Sequence, residues 1–370
     1  MQKALLVALV ATVDAAFTFT ADDIESEEAL WELFGRWAAY HEVVREPGRF
    51  AALKANVQWR WSKQRHSGRP MALNVFGDRS FDELAPQSCL KCAADPCPPD
   101  QEMEVIDLEL MAAKRAAVSP ATTLPSKLDW SKVDWRDEKP TAVTDVKRQG
   151  QCGSCWAFAA AGAVEGAHAI ETQSAAVSLS PQYLLDCTSE YIDKSCDCSG
   201  GSRVHALNLI QKLGGIPLDS DYPYMGYQSQ CDHHKFHWSA TILNWWRIQS
   251  FNATELKLAV YLQPVSVGIG LDADFYHWEP TSDGSVYYGP GSTTVSHAVL
   301  IVGYDMDDLG LPFWIVKNSW GGDKGYININ AEVNVGQIGN PIFVDAGIVT
   351  STRTARTSDD DGPLSQLVTT

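Results

Sequence analysis

A run of small, apolar residues in the middle of the chain does most to constrain its fold. From about Cys155 to Glu171 the sequence is rich in Ala and Gly and is apolar on nearly every helical face. A helix of this kind is buried all round, whereas a surface helix carries a single apolar stripe. We therefore predict a buried helix that begins at about Cys155.

The residues that lead into this helix indicate a cysteine nucleophile. The stretch from Gln149 to Trp156 has the sequence QGQCGSCW. A thiol attacks as its thiolate, and the pKa of a thiol falls at a helix N-terminus and beside an imidazolium. We therefore predict that Cys155 is the nucleophile. The alternative is a redox pair between Cys152 and Cys155, but no βαβ pattern surrounds these two residues.

A base for this thiolate lies far along the chain. His297 begins a strongly apolar predicted strand, where an ionisable ring is costly unless it is hydrogen-bonded or functional. Asn318, in the sequence KNSWG, follows the next predicted strand and could orient the imidazole through its side-chain oxygen. Trp320 could shield that hydrogen bond from water. Gln149 could donate an amide N–H to a developing oxyanion.

Together these segments resemble the papain-like cysteine proteases, from about Leu124 to Ile348. The sequence C-G-S-C-W is a local signature of the nucleophile in that family. The resemblance implies that Cys155 is the nucleophile, His297 its ion-pair partner and Asn318 the orienting residue. It also implies that Gln149 lies in the oxyanion hole.

The order of the predicted elements agrees with this resemblance. Helical patterns come first and predicted strands come later, which indicates an α+β body of two unlike lobes. The resemblance implies the papain-like two-lobe fold for residues 124–350. It places a helical lobe over about 124–235 and an antiparallel β-barrel-like lobe over about 236–350.

The first residues have the pattern of a secretory signal peptide. Lys3 supplies a positive start, residues 4–13 are apolar, and small residues fit a cleavage site just after Ala15 or Ala16. We predict that residues 1–15 are removed. A buried N-terminal helix is the alternative.

Residues 16–123 resemble the helical inhibitory propeptide of the same family. Two amphipathic patterns predict helices, and their inward faces comprise Leu30, Leu33, Phe34, Trp37 and Ala38, then Phe50, Leu53, Val57 and Trp61. A third short helix is predicted over 103–117.

Residues of two family motifs are matched in part. They are Arg49, Leu53 and Asn56 in the first motif and Asn74, Phe76 and Asp78 in the second, with Ala72 where Gly is usual. The resemblance implies a zymogen whose pro-segment lies along the cleft until acid or proteolysis removes it near Leu124. A separate helical domain with its own partner is the alternative.

The resemblance assigns four of the nine cysteines to two disulfides. It implies the pairs Cys152–Cys198 and Cys187–Cys231, and it implies that Cys155 stays reduced. The remaining cysteines are Cys89, Cys92, Cys97 and Cys196, which either form two further bridges or leave Cys196 reduced. Zinc binding by Cys89 and Cys92 is an alternative, but disulfides are favoured in a secretory protein.

The resemblance also implies a substrate-binding surface. Gly200 and Gly201 would offer backbone hydrogen bonds to an extended substrate, as in strand addition. A pocket for the side chain two residues before the cut would be lined by Ser202, Arg203, Gly268, Val295 and Ala298, and Trp320 completes the substrate-binding set. We expect Arg203 to point outward to solvent. If Arg203 pointed inward, this pocket would tolerate acidic side chains.

Two departures from the family pattern lie close to the predicted site. Ser296 precedes the histidine where Asp or Asn is usual, so we expect an altered pH profile. The loop after Trp320 is shorter than in the family and lacks a second tryptophan. In the family this loop helps to wall the leaving-group side, so the family's preferences for substrate residues after the cut need not apply.

The composition excludes several other classes of protein. The chain has 29 basic and 46 acidic residues and a formal net charge of -17, so phosphate backbones and anionic membranes would repel it. No apolar run is long enough for a multi-span membrane protein. The last residues, 351–370, are polar and contain Asp359-Asp360-Asp361, so we predict a disordered acidic tail.

We predict a cysteine endopeptidase, made as a zymogen, in the extracellular space or a lysosome- or vacuole-like acidic compartment. Asn252, in the sequence N-A-T, is the predicted glycosylation site. The expected partners are polypeptide substrates, the chain's own propeptide and cystatin-like inhibitors. We expect a monomer that needs neither cofactor nor metal, with His233, His234 and His237 as surface residues. The alternatives are an inactive homologue that binds or stores, and a peptide ligase that uses the same thioester.

Overall fold

The computed structural model contains two compact units. Residues 1–80 with 322–324 form the first unit, and residues 81–321 with 325–370 form the second. The structure describes residues 17–64, 71–73, 77–79, 132–234, 236–248, 253–271, 275, 286–288, 295–322, 325–331 and 343–353.

The first unit is a pair of helices beside a short strand pair. Its described elements are β1 (Thr18–Phe19), a 3-10 turn (Asp22–Ile24), α1 (Glu27–Tyr40), a second 3-10 turn (Pro47–Arg49), α2 (Phe50–Gln64) and β2 (Met71–Ala72). Strands β1 and β2 pair antiparallel.

The sequence explains where α1 begins and which face it buries. Ser26 caps the helix, because its hydroxyl accepts from the backbone N–H of Ala29 at 3.0 Å. The predicted inward face is confirmed, since all five of its residues are buried: Leu30, Leu33, Phe34, Trp37 and Ala38. On α2, Leu53 and Val57 are also fully buried, as the second pattern predicts.

The described residues of the second unit contain four helices. They are α3 (Cys155–Thr172), α4 (Pro181–Tyr191), α5 (Arg203–Leu213) and α6 (Ala253–Leu262). The predicted buried helix is confirmed as α3, which is buried continuously from Cys155 to Ala169. Its small residues permit close packing, because a Cβ on Gly166 would lie 2.7 Å from the ring of Pro264.

The strands of the second unit form one sheet. They are β3 (Val133–Asp134), β4 (Thr241–Ile248), β5 (Val265–Ile269), β6 (Val286–Tyr287), β7 (His297–Met306), β8 (Pro312–Lys317), β9 (Tyr326–Asn330) and β10 (Phe343–Arg353). The order is β4-β10-β5-β7-β8-β9-β6, and β3 pairs with β7. All these pairs are antiparallel except β6–β9. Helix α3 packs against α4 and α5 and against β5, β7 and β10.

A buried ionic cluster fastens α3 to its surroundings. Glu165, on α3, accepts from the Nζ of Lys147 at 2.8 Å and from the hydroxyl of Thr144 at 2.6 Å. The Nζ of Lys317, at the end of β8, donates to the same Thr144 hydroxyl at 2.8 Å. The cluster therefore links the helix, the chain before it and the sheet.

Of the predictions for the terminal and surface segments, the structure tests only the start of the C-terminal tail. The prediction of disorder from residue 351 is wrong at its start, because β10 runs through Arg353 and pairs with β4 there. The other terminal and surface predictions lie outside the described residues: the signal peptide, the helix over 103–117, Asn74, Phe76, Asn252 and the tail beyond 353. Among the residues that are described, no helix combines the length and apolar character needed to cross a bilayer.

Candidate active site

Cys155 is the first residue of α3 and is fully buried. Its Sγ accepts a hydrogen bond from the backbone N–H of Ala298 at 3.2 Å. Ala298 follows His297 on β7, so this contact brings the start of the helix against the start of the strand. The N-terminus of a helix stabilises negative charge, which favours a thiolate at this position.

Cys155 is disulfide-bonded in this structure. The expectation that it stays reduced is therefore wrong for the full chain. The described cysteines pair as Cys152–Cys198 and Cys187–Cys231, and Cys196 is not disulfide-bonded. The partner of Cys155 thus lies outside the described residues. A disulfide sulfur carries no thiolate, so this form of the chain holds its candidate nucleophile in an unreactive state.

His297 is buried and oriented by Asn318. The His297 Nε2 lies 2.9 Å from Asn318 Oδ1, and the backbone N–H of Ser319 donates to the same oxygen at 2.8 Å. Because this oxygen acts as an acceptor, Nε2 carries the proton and donates. The other ring nitrogen, Nδ1, is then the basic one.

The surroundings of His297 favour its neutral form. Burial lowers the pKa of His297 to about 4, although the hydrogen bond to Asn318 acts in the opposite direction. The Trp320 ring stacks on the imidazole, with ring centroids 4.9 Å apart. Both partners predicted from the sequence are therefore in contact with this histidine.

Gln149 is held between the segment before α3 and the segment after β8. Its Nε2 donates to the carbonyl of Cys152 at 2.9 Å, and its Oε1 accepts from the hydroxyl of Ser319. The backbone N–H of Gln149 donates to the carbonyl of Ser319 at 2.8 Å. These bonds join Gln149, which lies six residues before Cys155 in the chain, to Ser319, the residue after Asn318.

Two residues that were not predicted from the sequence, Tyr224 and Ser319, support Gln149. The Tyr224 hydroxyl donates to the Gln149 carbonyl at 3.0 Å and lies 2.5 Å from the hydroxyl of Ser154. Burial raises the pKa of Tyr224 to about 12, so the phenol keeps its proton. Ser319 lies inside the KNSWG motif, so proximity to Asn318 was the available clue. No local pattern marks Tyr224.

Arg203 points inward, and the expectation that it faces solvent is wrong. The side chain is buried, and its Nη1 donates to the carbonyl of Ser266 on β5 at 2.7 Å. Gly268 lies on the same strand and pairs with Ala298 on β7. The first turn of α5 and strands β5 and β7 thus bring Arg203, Gly268 and Ala298 to one wall. This wall adjoins Cys155, whose Sγ contacts Ala298.

The other residues of the predicted substrate set occupy varied positions. Ser202 caps α5, because its hydroxyl accepts from the backbone N–H of His205 at 3.4 Å. Gly200 exchanges backbone hydrogen bonds with Asp197, at 2.8 and 3.1 Å, which engages the groups predicted for substrate. Gly201 packs so tightly that a Cβ would lie 2.3 Å from the Trp156 ring. Val295 is half-buried beside Ser296 and His297.

The remaining cysteine and histidine expectations have mixed outcomes. The structure contains both disulfides that the resemblance implied, and Cys196 is a buried thiol, so it does not join a further bridge. His234 and His237 are exposed as expected. His233 is half-buried instead, with its Nδ1 3.1 Å from the Tyr191 hydroxyl.

Known proteins match most of the length of the chain. The model of the papain family cysteine proteases matches residues 130–345. Vignain of Vigna mungo is 35% identical over 343 residues, which cover 89% of this chain and 88% of vignain. The cysteine endopeptidase Rep1 of Oryza sativa subsp. japonica is 36% identical over 329 residues, covering 86% and 83%.

Solved proenzymes share the fold. The proform of the Amb a 11 cysteine protease of ragweed pollen superposes with a TM-score of 0.68 at 31% identity, covering 91% of this chain and 99% of that one. The recombinant stem bromelain precursor gives a TM-score of 0.67 at 28% identity, covering 87% and 98%. With the α+β architecture and the buried Cys155, His297 and Asn318 group already described, these matches establish that the chain belongs to the papain family of cysteine proteases.

Proposed function

We propose that the chain hydrolyses peptide bonds through Cys155, His297, Asn318 and Gln149. The observation that carries the proposal is the 3.2 Å contact between Cys155 Sγ and the backbone N–H of Ala298, because it sets the sulfur beside the residue next to His297. The matching relatives are named as endopeptidases and proteases, which supports the same activity.

The reaction begins once Cys155 is reduced. Its thiol proton passes to Nδ1 of His297, and the resulting thiolate raises the pKa of the imidazole, because an opposite charge stabilises the imidazolium. The thiolate attacks the peptide carbonyl carbon, and a C–S bond forms as the carbonyl oxygen becomes anionic. The imidazolium then protonates the departing amine, and the C–N bond breaks to leave a thioester.

Water completes the cycle at the same groups. Nδ1 of His297 accepts a proton from water as the water oxygen attacks the thioester, and the C–S bond breaks to release the acid. The backbone N–H of Cys155 and the side-chain Nε2 of Gln149 are the proposed donors to the oxyanion. Losing one such donor costs about 10²–10³ in turnover.

The test is hydrolysis of a fluorogenic peptide by the processed, reduced protein. C155S and H297Q should each lose at least about 10⁴-fold in kcat/KM, as removal of one member of such a triad does. H168Q is the matched control, since His168 is a buried histidine of α3 outside the site. The proposal is wrong if C155S keeps wild-type turnover, or if H168Q loses as much as H297Q.

The same assay separates the alternatives. An inactive homologue would show no turnover even when reduced and processed. A peptide ligase would pass the acyl group to an added amine in preference to water, because both reactions share the thioester. We expect the free acid as the main product in water, and a dominant amine adduct would favour the ligase.

We propose that residues 16–123 form an inhibitory propeptide and that the mature chain starts near Leu124. The support is that matching structures are a proform and a precursor which cover most of this chain. Incubating the reduced full chain at acidic pH should release activity together with a new N-terminus near Leu124. Full activity in the uncleaved chain would contradict this role.

We propose that Arg203 lets the pocket accept acidic side chains two residues before the cut. The support is that the buried guanidinium donates to the carbonyl of Ser266, two residues before Gly268 on β5, so its side chain lies at the wall of the proposed pocket. R203L should lower the preference for Glu relative to Leu at that substrate position. K212L removes an exposed positive charge from the far end of α5 and should leave the preference unchanged. Equal selectivity in R203L and wild type would refute the assignment.

We propose that the chain enters the secretory route and works in an extracellular or vacuole-like acidic compartment. The apolar N-terminal run and the two disulfides support this, since disulfides persist in oxidising compartments. Glycosylation at Asn252 should then shift the gel mobility on endoglycosidase treatment, and N252Q should abolish the shift. Recovery of the expressed protein in the cytosolic fraction would contradict the route.

A further inference from the structure

A cysteine, a histidine and an aspartate meet at the start of α5. Cys196 and Asp193 lie in the loop after α4, and His205 lies in the first turn of α5. Cys196 Sγ is 3.7 Å from His205 Nδ1, and His205 Nδ1 is 3.2 Å from Asp193 Oδ2. One ligand atom of each residue lies within 4.8 Å of the others.

The two measured separations at His205 are close to the edges of a tetrahedral zinc site. Zinc binds thiolate sulfur at about 2.3 Å and histidine nitrogen or carboxylate oxygen at about 2.0–2.2 Å, in tetrahedral geometry. Two such ligands on one ion are then about 3.6 Å apart for sulfur and nitrogen, and about 3.4 Å apart for nitrogen and oxygen. The two observed distances agree with these values to about 0.2 Å.

The surroundings hold the three ligands in place. Asp193 Oδ1 accepts from the backbone N–H of Ser195 at 2.9 Å and from its hydroxyl at 2.8 Å, so the carboxylate is oriented from its other oxygen. Ser202 fixes His205 by capping the helix. Cys196 is fully buried, whereas the side chains of His205 and Asp193 are 28% and 27% exposed, which leaves an approach from solvent.

We propose that Asp193, Cys196 and His205 form a zinc site. Thiolate and imidazole together favour Zn²⁺ over Mg²⁺ and Ca²⁺, which prefer oxygen ligands alone. This differs from the sequence-based expectation of no metal, which did not place these residues together. The ion would fasten the loop after α4 to α5. That loop also carries Cys198, whose disulfide leads to Cys152 near the candidate nucleophile. The site does not depend on the proposed peptidase activity.

The test is a titration of the metal-stripped, oxidised full chain with Co²⁺, followed by Zn²⁺. The oxidised chain is used because Cys155 is then in its disulfide and cannot supply the thiolate. We expect one Co²⁺ per chain, with the visible bands of tetrahedral Co²⁺ and a near-ultraviolet thiolate-to-metal charge-transfer band. Stoichiometric Zn²⁺ should remove both signals.

Variants assign the signals to ligands. C196S should abolish the charge-transfer band, and H205Q and D193N should each weaken Zn²⁺ binding at least about 100-fold, since the loss of even an outer partner costs 10- to 100-fold. H237Q is the matched control, because His237 is an exposed histidine outside the cluster, and it should bind as wild type.

Two results would overturn the site: a charge-transfer band that survives in C196S, or equal affinity in H205Q and H237Q. Thermal unfolding of each metal-free variant checks the fold. If C196S fails to fold, H205Q and D193N still decide, because they alter partly exposed side chains and keep polar groups of similar size.

Discussion

At the scale of single residues, the ionisation of Cys155 and His297 depends on the groups around them. Cys155 sits at a helix N-terminus that favours a thiolate, yet the full chain holds it in a disulfide. His297 is kept neutral by burial and is oriented by one bond to Asn318. Each property arises from direct contacts in the folded chain, although the residues in contact lie far apart in the sequence.

The disulfide at Cys155 predicts a reductant requirement. Without reductant, iodoacetamide should not label Cys155 in the folded full chain, because only a thiolate is alkylated. With a dithiol reductant, and once the proposed propeptide has been removed, labelling at Cys155 should become faster than that of free cysteine. Peptide mapping reads Cys155 separately from the buried Cys196. Labelling of Cys155 before reduction would contradict the prediction.

Asn318 should act as a positioning residue for the imidazole. Its hydrogen bond raises the pKa of His297, so N318A should lower that pKa and shift the alkaline limb of the pH–rate profile to lower pH. A hydrogen bond to a charged group is worth about 1.5–3 kcal/mol, which predicts a loss of about 10- to 150-fold in kcat/KM. If activity falls with no shift of the limb, the effect is structural and the prediction is wrong.

At the scale of elements, α3 joins the chemistry to the core. Its first residue is the candidate nucleophile, and its middle carries Glu165 in the cluster with Lys147 and Lys317. Burial alone would raise the pKa of Glu165, but the two lysines lower it below its usual value. The helix is therefore anchored by an ionised carboxylate rather than by apolar packing alone.

Neutralising that carboxylate should destabilise the second unit. E165Q leaves the Lys147 ammonium buried without its counter-charge, which costs about 3–5 kcal/mol of unfolding free energy. E171Q makes the same change at an exposed position of the same helix and should cost well under about 1 kcal/mol. Urea denaturation at neutral pH measures both. A matching midpoint in the two variants would refute the role of the cluster.

At the scale of the whole molecule, the free energy of unfolding depends on pH because the pKa of His297 differs between the folded and the unfolded chain. The pKa of His297 is about 4 in the folded state and about 6.5 when exposed. The unfolded chain therefore binds more protons between these values. The contribution of the neutral imidazole is fully present above about pH 6.5 and is lost as the pH falls towards 4.

This difference predicts an acid-dependent gap between wild type and H297Q. Over that pH range, the oxidised wild-type chain should lose up to about 3 kcal/mol of unfolding free energy relative to H297Q, which has no imidazole to protonate. Comparing the two proteins cancels the other carboxyl groups that titrate in the same range. Denaturation at several pH values measures the gap. A gap that does not change with pH would contradict the burial of a neutral His297.

Much of the local structure was predictable from the chain. Periodicity predicted the buried face of α1, a run that is apolar on nearly every helical face predicted the burial of α3, and apolar runs predicted strands β7 and β8. The motifs around Cys155 and Asn318 predicted the residues now found together. They succeeded because the chemistry of a thiolate and an imidazole restricts which side chains can stand beside them.

The sequence by itself therefore determined which segments are buried and which residue types carry the chemistry. Only the tertiary structure decided the inward direction of Arg203, the continuation of β10 to Arg353, the oxidised state of Cys155 and the meeting of Cys196 with His205. Each depends on a contact between segments that are separate in the chain, such as the bond from α5 to Ser266. Local patterns record the burial of a residue, whereas its partner is chosen by how the elements pack.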